Sequence, residues 1–301
     1  MLNCASTLLF PGQGTETPGM SKGWEAHPTW WRTLEAAEAH TGVRLLQIMA
    51  EGPAEALRSQ RLAPLAVVAH SVGIFRTWRA AGLPLPRAAA GHSLGFYSAL
   101  VAASVVPLEA ALDLIHAVET RCDEAFENRP MGMGFLIGVA ELEVRTALLD
   151  YPELVLSNRN GRAQFTVSGP VASLLPLLDT LRPGALKVGL LPVKHPLHGP
   201  HMAALVPGVA RALGAVKPRD PAFPLISHFD GRLLETGAEA WDEGLAAIAL
   251  PVDWLAVVRR LKALGAPLGE CGHGRQLAGL TSWADRGLTV RSLQVGPATP
   301  S

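Results

Sequence analysis

The 301 residues are 49% apolar and carry 26 basic and 26 acidic side chains, so the formal net charge is zero. That is enough apolar material for a large core, built as one α/β unit or as a main unit with a smaller insert. With no block of Lys or Arg, neither nucleic acid nor an anionic membrane is expected as a partner, although a small acidic protein could still bind a local patch.

Cys4, Cys122 and Cys271 are far apart and form no CxxC pair, which fits inert thiols in a reducing compartment better than a disulfide framework. The first six residues lack a basic region and run straight into a strand-like stretch at 7–10, so no signal peptide is read and a cytoplasmic location is expected. A helix follows over 64–82. The apolar stretch 62–75 is broken by His70 and Ser71 and falls short of the roughly 20 residues that span a bilayer, so it reads as a buried helix. Trp30 and Trp31 read as packing residues rather than a ligand platform. A short strand at 88–90 then precedes helices over 94–103 and 108–126, and this alternation argues for a parallel sheet covered by helices. After Pro130 the texture changes. Strands are expected at 134–139, 154–157, 164–167 and 186–191, with helices near 141–149 and 171–181, the β-α-β-β-α-β order of a ferredoxin-like insert. Pro192, Pro196 and Pro200 mark the return crossing. Helical patterns at 201–213 and 254–264 and strands at 224–227 and 288–295 complete the chain.

Gly91-His92-Ser93-Leu94-Gly95 sits between the 88–90 strand and the next helix. In that context two glycines let the backbone turn so sharply that the serine hydroxyl projects alone. A serine nucleophile needs a base within hydrogen-bond reach and donors where an oxyanion forms. Ten histidines are available, and position alone does not choose among them. Phe10-Pro11-Gly12-Gln13-Gly14 is either a simple strand-ending turn or a backbone that approaches a ligand closely. The segment 195–202, with His195, His198 and His201, is either an exposed hinge or a place from which a side chain faces a cleft.

Together these segments resemble the acyl carrier protein acyltransferases, whose type members are the malonyl-CoA:acyl carrier protein transacylases. Five motifs appear in order: FPGQG at 10–14, GHSLG-x-Y-S-A-L at 91–100, the segment 157–169, H-x-x-x-M at 198–202, and Glu270-Cys271-Gly272-His273-Gly274, which is similar to the family's E-x-G-x-G turn. The resemblance covers almost the whole chain. It implies an α/β fold, with an α/β-hydrolase-like large subdomain over 1–128 and 198–301 and a ferredoxin-like small subdomain over 129–197. It also makes Ser93 the nucleophile, His198 its base, and the N–H groups of Gln13 and Leu94 the oxyanion donors. In the family a backbone carbonyl orients the histidine, here expected near residues 247–250. Substrate contacts are expected at Gly12, His92, Phe96, Val118, Arg121, Met133, Asn160 and Leu197. The implied chemistry is ping-pong acyl transfer with no bound cofactor, because the phosphopantetheine thiol arrives on an acyl carrier protein or on coenzyme A.

One departure matters. Malonyl-type members carry an arginine on the helix after the nucleophile, where its planar fork pairs with a carboxylate. The ungapped position here is Val118, so a non-carboxylated acyl group is expected. Arg121, three residues on, could replace that contact or be a solvated arginine paired with Glu124 or Glu127. Phe96 either makes the cleft more apolar or is ordinary helix packing, and Leu197 occupies a position linked to specificity in the family. His195, His198 and His201 lack the carboxylate or cysteine that would complete a metal site, so no metal is expected. Lys194, Arg159, Arg162 and Arg275 could attract an acidic carrier protein or simply be solvated.

The leading expectation is a freestanding acyltransferase of polyketide or related secondary metabolism, including antibiotic biosynthesis, working with the carrier protein of a polyketide synthase. The alternatives are an editing acyl thioesterase of the same fold, a malonyl transacylase using Arg121, and a catalytically idle docking subunit.

Overall fold

The computed structural model describes residues 6–293. Cys4 and the end of the 288–295 stretch lie outside them. Strand β1 (Thr7–Phe10) leads into helices α1 (Pro28–Thr41), α2 (Leu45–Glu51), α3 (Ala54–Leu57) and α4 (Ala63–Ala80). Every residue of α4 from Ala63 to Phe75 is buried, which makes it a central helix of the large lobe. Trp30 of α1 packs on it, fully buried, and donates its indole N–H to His70 Nδ1 at 3.1 Å. Then come β2 (Ala88–Gly91), α5 (Gly95–Ala102) and α6 (Leu108–Phe126). The middle of the chain is β3 (Met131–Ile137), α7 (Glu141–Ala147), β4 (Val155–Gly161), β5 (Gln164–Pro170), α8 (Val171–Leu181) and β6 (Lys187–Leu190). The last third holds α9 (Val206–Leu213), β7 (Leu225–Ile226), β8 (Leu233–Leu234), α10 (Gly237–Ala246), β9 (Val252–Asp253), α11 (Trp254–Leu264), β10 (Leu268–Glu270), α12 (Gln276–Ala284) and β11 (Val290–Ser292).

Two sheets organise these elements. The first has the order β11-β10-β1-β2-β7-β8 and is parallel except for β8, which turns back against β7. Its strands alternate between two cores, as a period of two requires. Leu8, Phe10 and Ala89 face the helices α4, α5 and α6, while Leu9, Ala88 and Ala90 face α11 and α12. The second sheet has the order β6-β3-β5-β4-β9. Its first four strands are antiparallel in the ferredoxin-like arrangement and enclose a third core around Phe165 and Leu177. Strand β9 comes from outside residues 129–197 yet extends this sheet, pairing parallel to β4 through Asn158 with Val252 and Arg159 with Asp253. The protein is thus an α/β molecule of two lobes, the second sheet borrowing a strand from the last third of the chain.

Several expected elements change bounds: β3 begins at Met131 rather than 134, and β4 runs on to Gly161 rather than ending at 157. The helix expected from 201 begins at Val206, after a turn over Pro200–Met202, with Pro207 in its first turn. A proline there loses no helical bond, because the first amides have no intrahelical partner. Strand 224–227 shrinks to the two residues of β7. Cys122 and Cys271 are buried free thiols, their ionisation pushed up by burial. Among the described residues no helix is long and apolar enough to cross a membrane.

Candidate active site

The turn after β2 can only be this tight because its residues are small. A Cβ on Gly91 would stand 2.2 Å from the Phe96 nitrogen, and one on Gly95 would stand 2.0 Å from the Phe10 carbonyl oxygen. The turn closes through Gly95 N–H to His92 O at 2.9 Å and leaves Ser93 at φ 53°. At its apex Ser93 Oγ lies 2.6 Å from His198 Nε2. On the other side of the ring, His198 Nδ1 lies 2.6 Å from the Ala247 carbonyl oxygen, and the His198 N–H bonds Ile248 O at 3.0 Å. A carbonyl only accepts, so Nδ1 carries the hydrogen and Nε2 is left to accept from the serine hydroxyl. Burial pulls His198 down to about 4, against the Ala247 hydrogen bond that favours its charged form. Its ring is therefore neutral at ordinary pH and able to take a proton.

Gly12 and Gln13 form the facing wall. Gln276, the first residue of α12, clamps this loop with both ends of its amide: Gly12 N–H donates to Oε1 at 3.0 Å, and Nε2 donates to Gln13 O at 3.1 Å. The helix behind it is held by Glu270, whose carboxylate accepts the amides of Leu277 and Ala278 at 2.8 and 3.0 Å. Burial raises the Glu270 carboxyl, opposed by those amide hydrogen bonds. Among the described residues, neither the Gln13 nor the Leu94 N–H is used in a protein hydrogen bond.

The serine opens into a cavity of about 340 Å³ between the lobes. Gln13, His92, Ser93, Leu94, Val118, Met133, Asn160, Leu197 and His198 all line it. His92 Nε2 lies 2.7 Å from Asn160 Oδ1 and its ring 5.4 Å from Trp254, joining the turn to β4. Burial lowers its pKa.

Three expected substrate contacts are corrected. Phe96 is fully buried beneath the turn, its ring 4.6 Å from that of His228, and does not line the cavity. Arg121 sits on the outer side of α6, its side chain 43% exposed and paired with Glu124 at 2.8 Å. One helical turn beyond Val118 carries it away from the cavity. Gly12 belongs to the facing loop but does not itself line the cavity, and a Cβ there would come within 2.8 Å of the His92 carbonyl oxygen.

The three neighbouring histidines diverge: His195 meets Glu119 at 2.9 Å, His198 meets Ser93, and His201 meets the Glu153 carbonyl at 2.7 Å. Among the described residues no three His, Cys, Asp or Glu side chains gather as a metal site. Arg159 is held between Glu141 at 2.8 Å and Asp253 at 3.2 Å, so it is no loose surface cation. Lys194 instead shares an open groove with Arg58 and Arg61. Sequence reasoning missed Glu119, Asn158 and Gln276, all of which also line the cavity. No short motif contains Glu119 or Gln276, while Asn158 lay within the 157–169 segment and two positions from Asn160, the spacing of one strand face.

A two-lobed α/β fold carrying a serine on a strained strand-to-helix turn, next to an imidazole fixed by a backbone carbonyl, defines the class of acyltransferases built on this architecture. The sequence pattern of the acyl transferase domain family matches residues 7–240, and the chain belongs to that family. It is similar to the malonyl CoA-acyl carrier protein transacylase of Escherichia coli K12, 30% identical over 292 residues that cover 95% of this chain and 94% of that protein. The acyl-carrier-protein S-malonyltransferase of Burkholderia pseudomallei 1710b superimposes with a TM-score of 0.90 at 27% identity, covering 98% and 97% of the two chains. A malonyl-transacylase solved in complex with a type II polyketide synthase acyl-carrier protein gives a TM-score of 0.90 at 27% identity, covering 96% of each chain.

Proposed function

We propose that this enzyme transfers a non-carboxylated acyl group between phosphopantetheine thiols, carried by acyl carrier proteins or coenzyme A, through an ester on Ser93. Ser93 Oγ attacks the thioester carbonyl while His198 Nε2 takes its proton. The carbon–sulfur bond breaks, and the departing sulfur receives that proton. A second thiol then gives its proton to His198, attacks the Ser93 ester and leaves as the new thioester, restoring the serine hydroxyl. The free amides of Gln13 and Leu94 are assigned to the oxyanion. Ala247 holds the ring in the tautomer that accepts, which makes a third carboxylate unnecessary.

One observation carries the choice of cargo. Among the described residues no lysine or arginine lines the cavity beside Ser93, and its one acidic side chain is Glu119. A malonyl carboxylate buried there would lose its hydration, gain no cation and face a like charge, a cost of several kcal/mol on the order of other unpaired buried charges. The malonyl specificity of the relatives is therefore not carried over. A role in polyketide assembly is supported by the relative that is solved with a synthase carrier protein. The test is to mix one acylated carrier protein with the enzyme and a second, unloaded carrier. Acyl transfer in excess of free acid supports the reading, and rapid release of free acid overturns it in favour of a thioesterase.

A further inference from the structure

We infer that Glu119 reads the acyl chain, its carboxylate accepting a hydrogen bond from a hydroxyl or ammonium group on the acyl unit carried by Ser93. This rests on the proposed role of Ser93. Glu119 follows Val118 on the buried face of α6 and lines the same cavity as Ser93 and His198. Its side chain is 10% exposed and makes a single polar contact, Oε2 to His195 Nε2 at 2.9 Å. Among the described residues Oε1 accepts no hydrogen bond, and it is not one of the sealed, unpartnered side-chain atoms, so it opens onto the cavity. Behind it, the His195 side chain is 4% exposed and its Nδ1 has no partner, so nothing further anchors the pair.

Buried carboxylate oxygens are normally satisfied, because each one left bare gives up its hydration for nothing. A carboxylate with only a packing role here would have a donor on both oxygens. Glu119 has a donor on one oxygen and opens the other onto the cavity, and that space is the one that an acyl group on Ser93 must enter. A hydroxyl or ammonium on that group supplies the missing donor. An unsubstituted hydrocarbon leaves the oxygen bare, and a second carboxylate is repelled. The residue that excludes a dicarboxylic acyl group is thus the one that selects a donor-bearing one.

The experiment follows Ser93 acylation by intact-protein mass spectrometry in wild type, E119Q and E119L. The donors are hydroxyacyl and aminoacyl thioesters with the substituent at successive carbons, each against the unsubstituted acyl thioester of equal length. In wild type, the best-placed hydroxyl or amine should acylate about tenfold to a hundredfold faster than its unsubstituted match, the worth of one charge-assisted hydrogen bond. E119L should erase or reverse that ratio. E119Q should keep the hydroxyl preference and lose most of the amine preference, because it keeps an acceptor but not the charge. Should E119L fail to fold, the amine-to-hydroxyl ratio of E119Q decides alone. Equal ratios in wild type and variants, or a wild-type preference for the unsubstituted chain at every position, overturn the inference while leaving the transfer reading intact. Failure of Ser93 to accept any acyl group defeats both.

Discussion

Ser93 and His198 share a backbone conformation that residues with a side chain rarely adopt, φ 53° and 60°, and their side chains meet at 2.6 Å. Only Ser104 joins them among the described non-glycine residues. Each such conformation costs about 1–3 kcal/mol and persists only where the surroundings enforce it. At Ser93 the enforcement is the pair of glycines packed against Phe96 and Phe10; at His198 it is the two bonds to Ala247 and Ile248. Ser93→Gly should therefore melt higher than wild type, gaining roughly 1 kcal/mol by relieving the left-handed strain, and should show no acyl mass gain. Calorimetry and mass spectrometry on one preparation check both halves.

The position of His198 on the pH scale gives a second expectation. Burial lowers it from 6.5 to about 4, so its ring accepts a proton across the neutral range. The kcat/KM for Ser93 acylation should stay flat from about pH 7 to pH 5 and fall only near the lowered pKa. The same shift destabilises the fold in acid. The unfolded imidazole binds a proton below 6.5 and the folded one only near 4, so stability is lost as pH drops through that window. His198→Gln should show a shallower loss over the same window in denaturant titrations.

Gln276 holds Gly12 and Gln13 without lining up with any short motif. Gln276→Leu removes both clamps, so the Gln13 N–H should lose its aim at the developing oxyanion. The expected effect is a fall in kcat of about tenfold to a hundredfold, below the full loss of an oxyanion donor, with KM nearly unchanged. Steady-state kinetics that showed a KM effect alone would assign Gln276 to binding instead.

Val118, which lines the cavity, offers a position at which to install a carboxylate partner. Val118→Arg places a guanidinium beside the cavity, but Glu119 is its neighbour and competes for it. The single variant should raise malonyl loading relative to acetyl only modestly, and V118R combined with E119G should raise it further. Competition between malonyl-CoA and acetyl-CoA, read as the mass ratio on Ser93, measures both.

How much of this was legible in the sequence depends on how local each feature is. The helices over 108–126, 171–181 and 254–264 carry a clear helical period and were placed within a residue or so of their ends. Helix α1 was missed: its N-cap is His27, which makes no capping hydrogen bond, and its first turn has no acidic residue. Strands β8 and β9 have only two residues each, too few for any pattern. The structure brings Ser93, His198 and Gln13, which the motifs single out, to one cavity, and Ala247 lies within the expected carbonyl region. For Phe96 and Arg121 the sequence left two placements open, because helical spacing gives a side chain's angle around the axis, not the depth at which the helix is buried; Phe96 packs in the core and Arg121 pairs with Glu124. The Glu119–His195 pair was invisible for a different reason: its members lie 76 positions apart and only the packing of the loop before His198 against α6 joins them.

Competition loading decides which acyl group Ser93 carries. Enzyme mixed with equal concentrations of malonyl-CoA and a panel of neutral acyl-CoA thioesters is digested, and the Ser93 peptide is weighed. A stable neutral acyl mass on Ser93 with little or no malonyl adduct is expected. A stable malonyl mass on Ser93, with no adduct from any neutral donor, would contradict it.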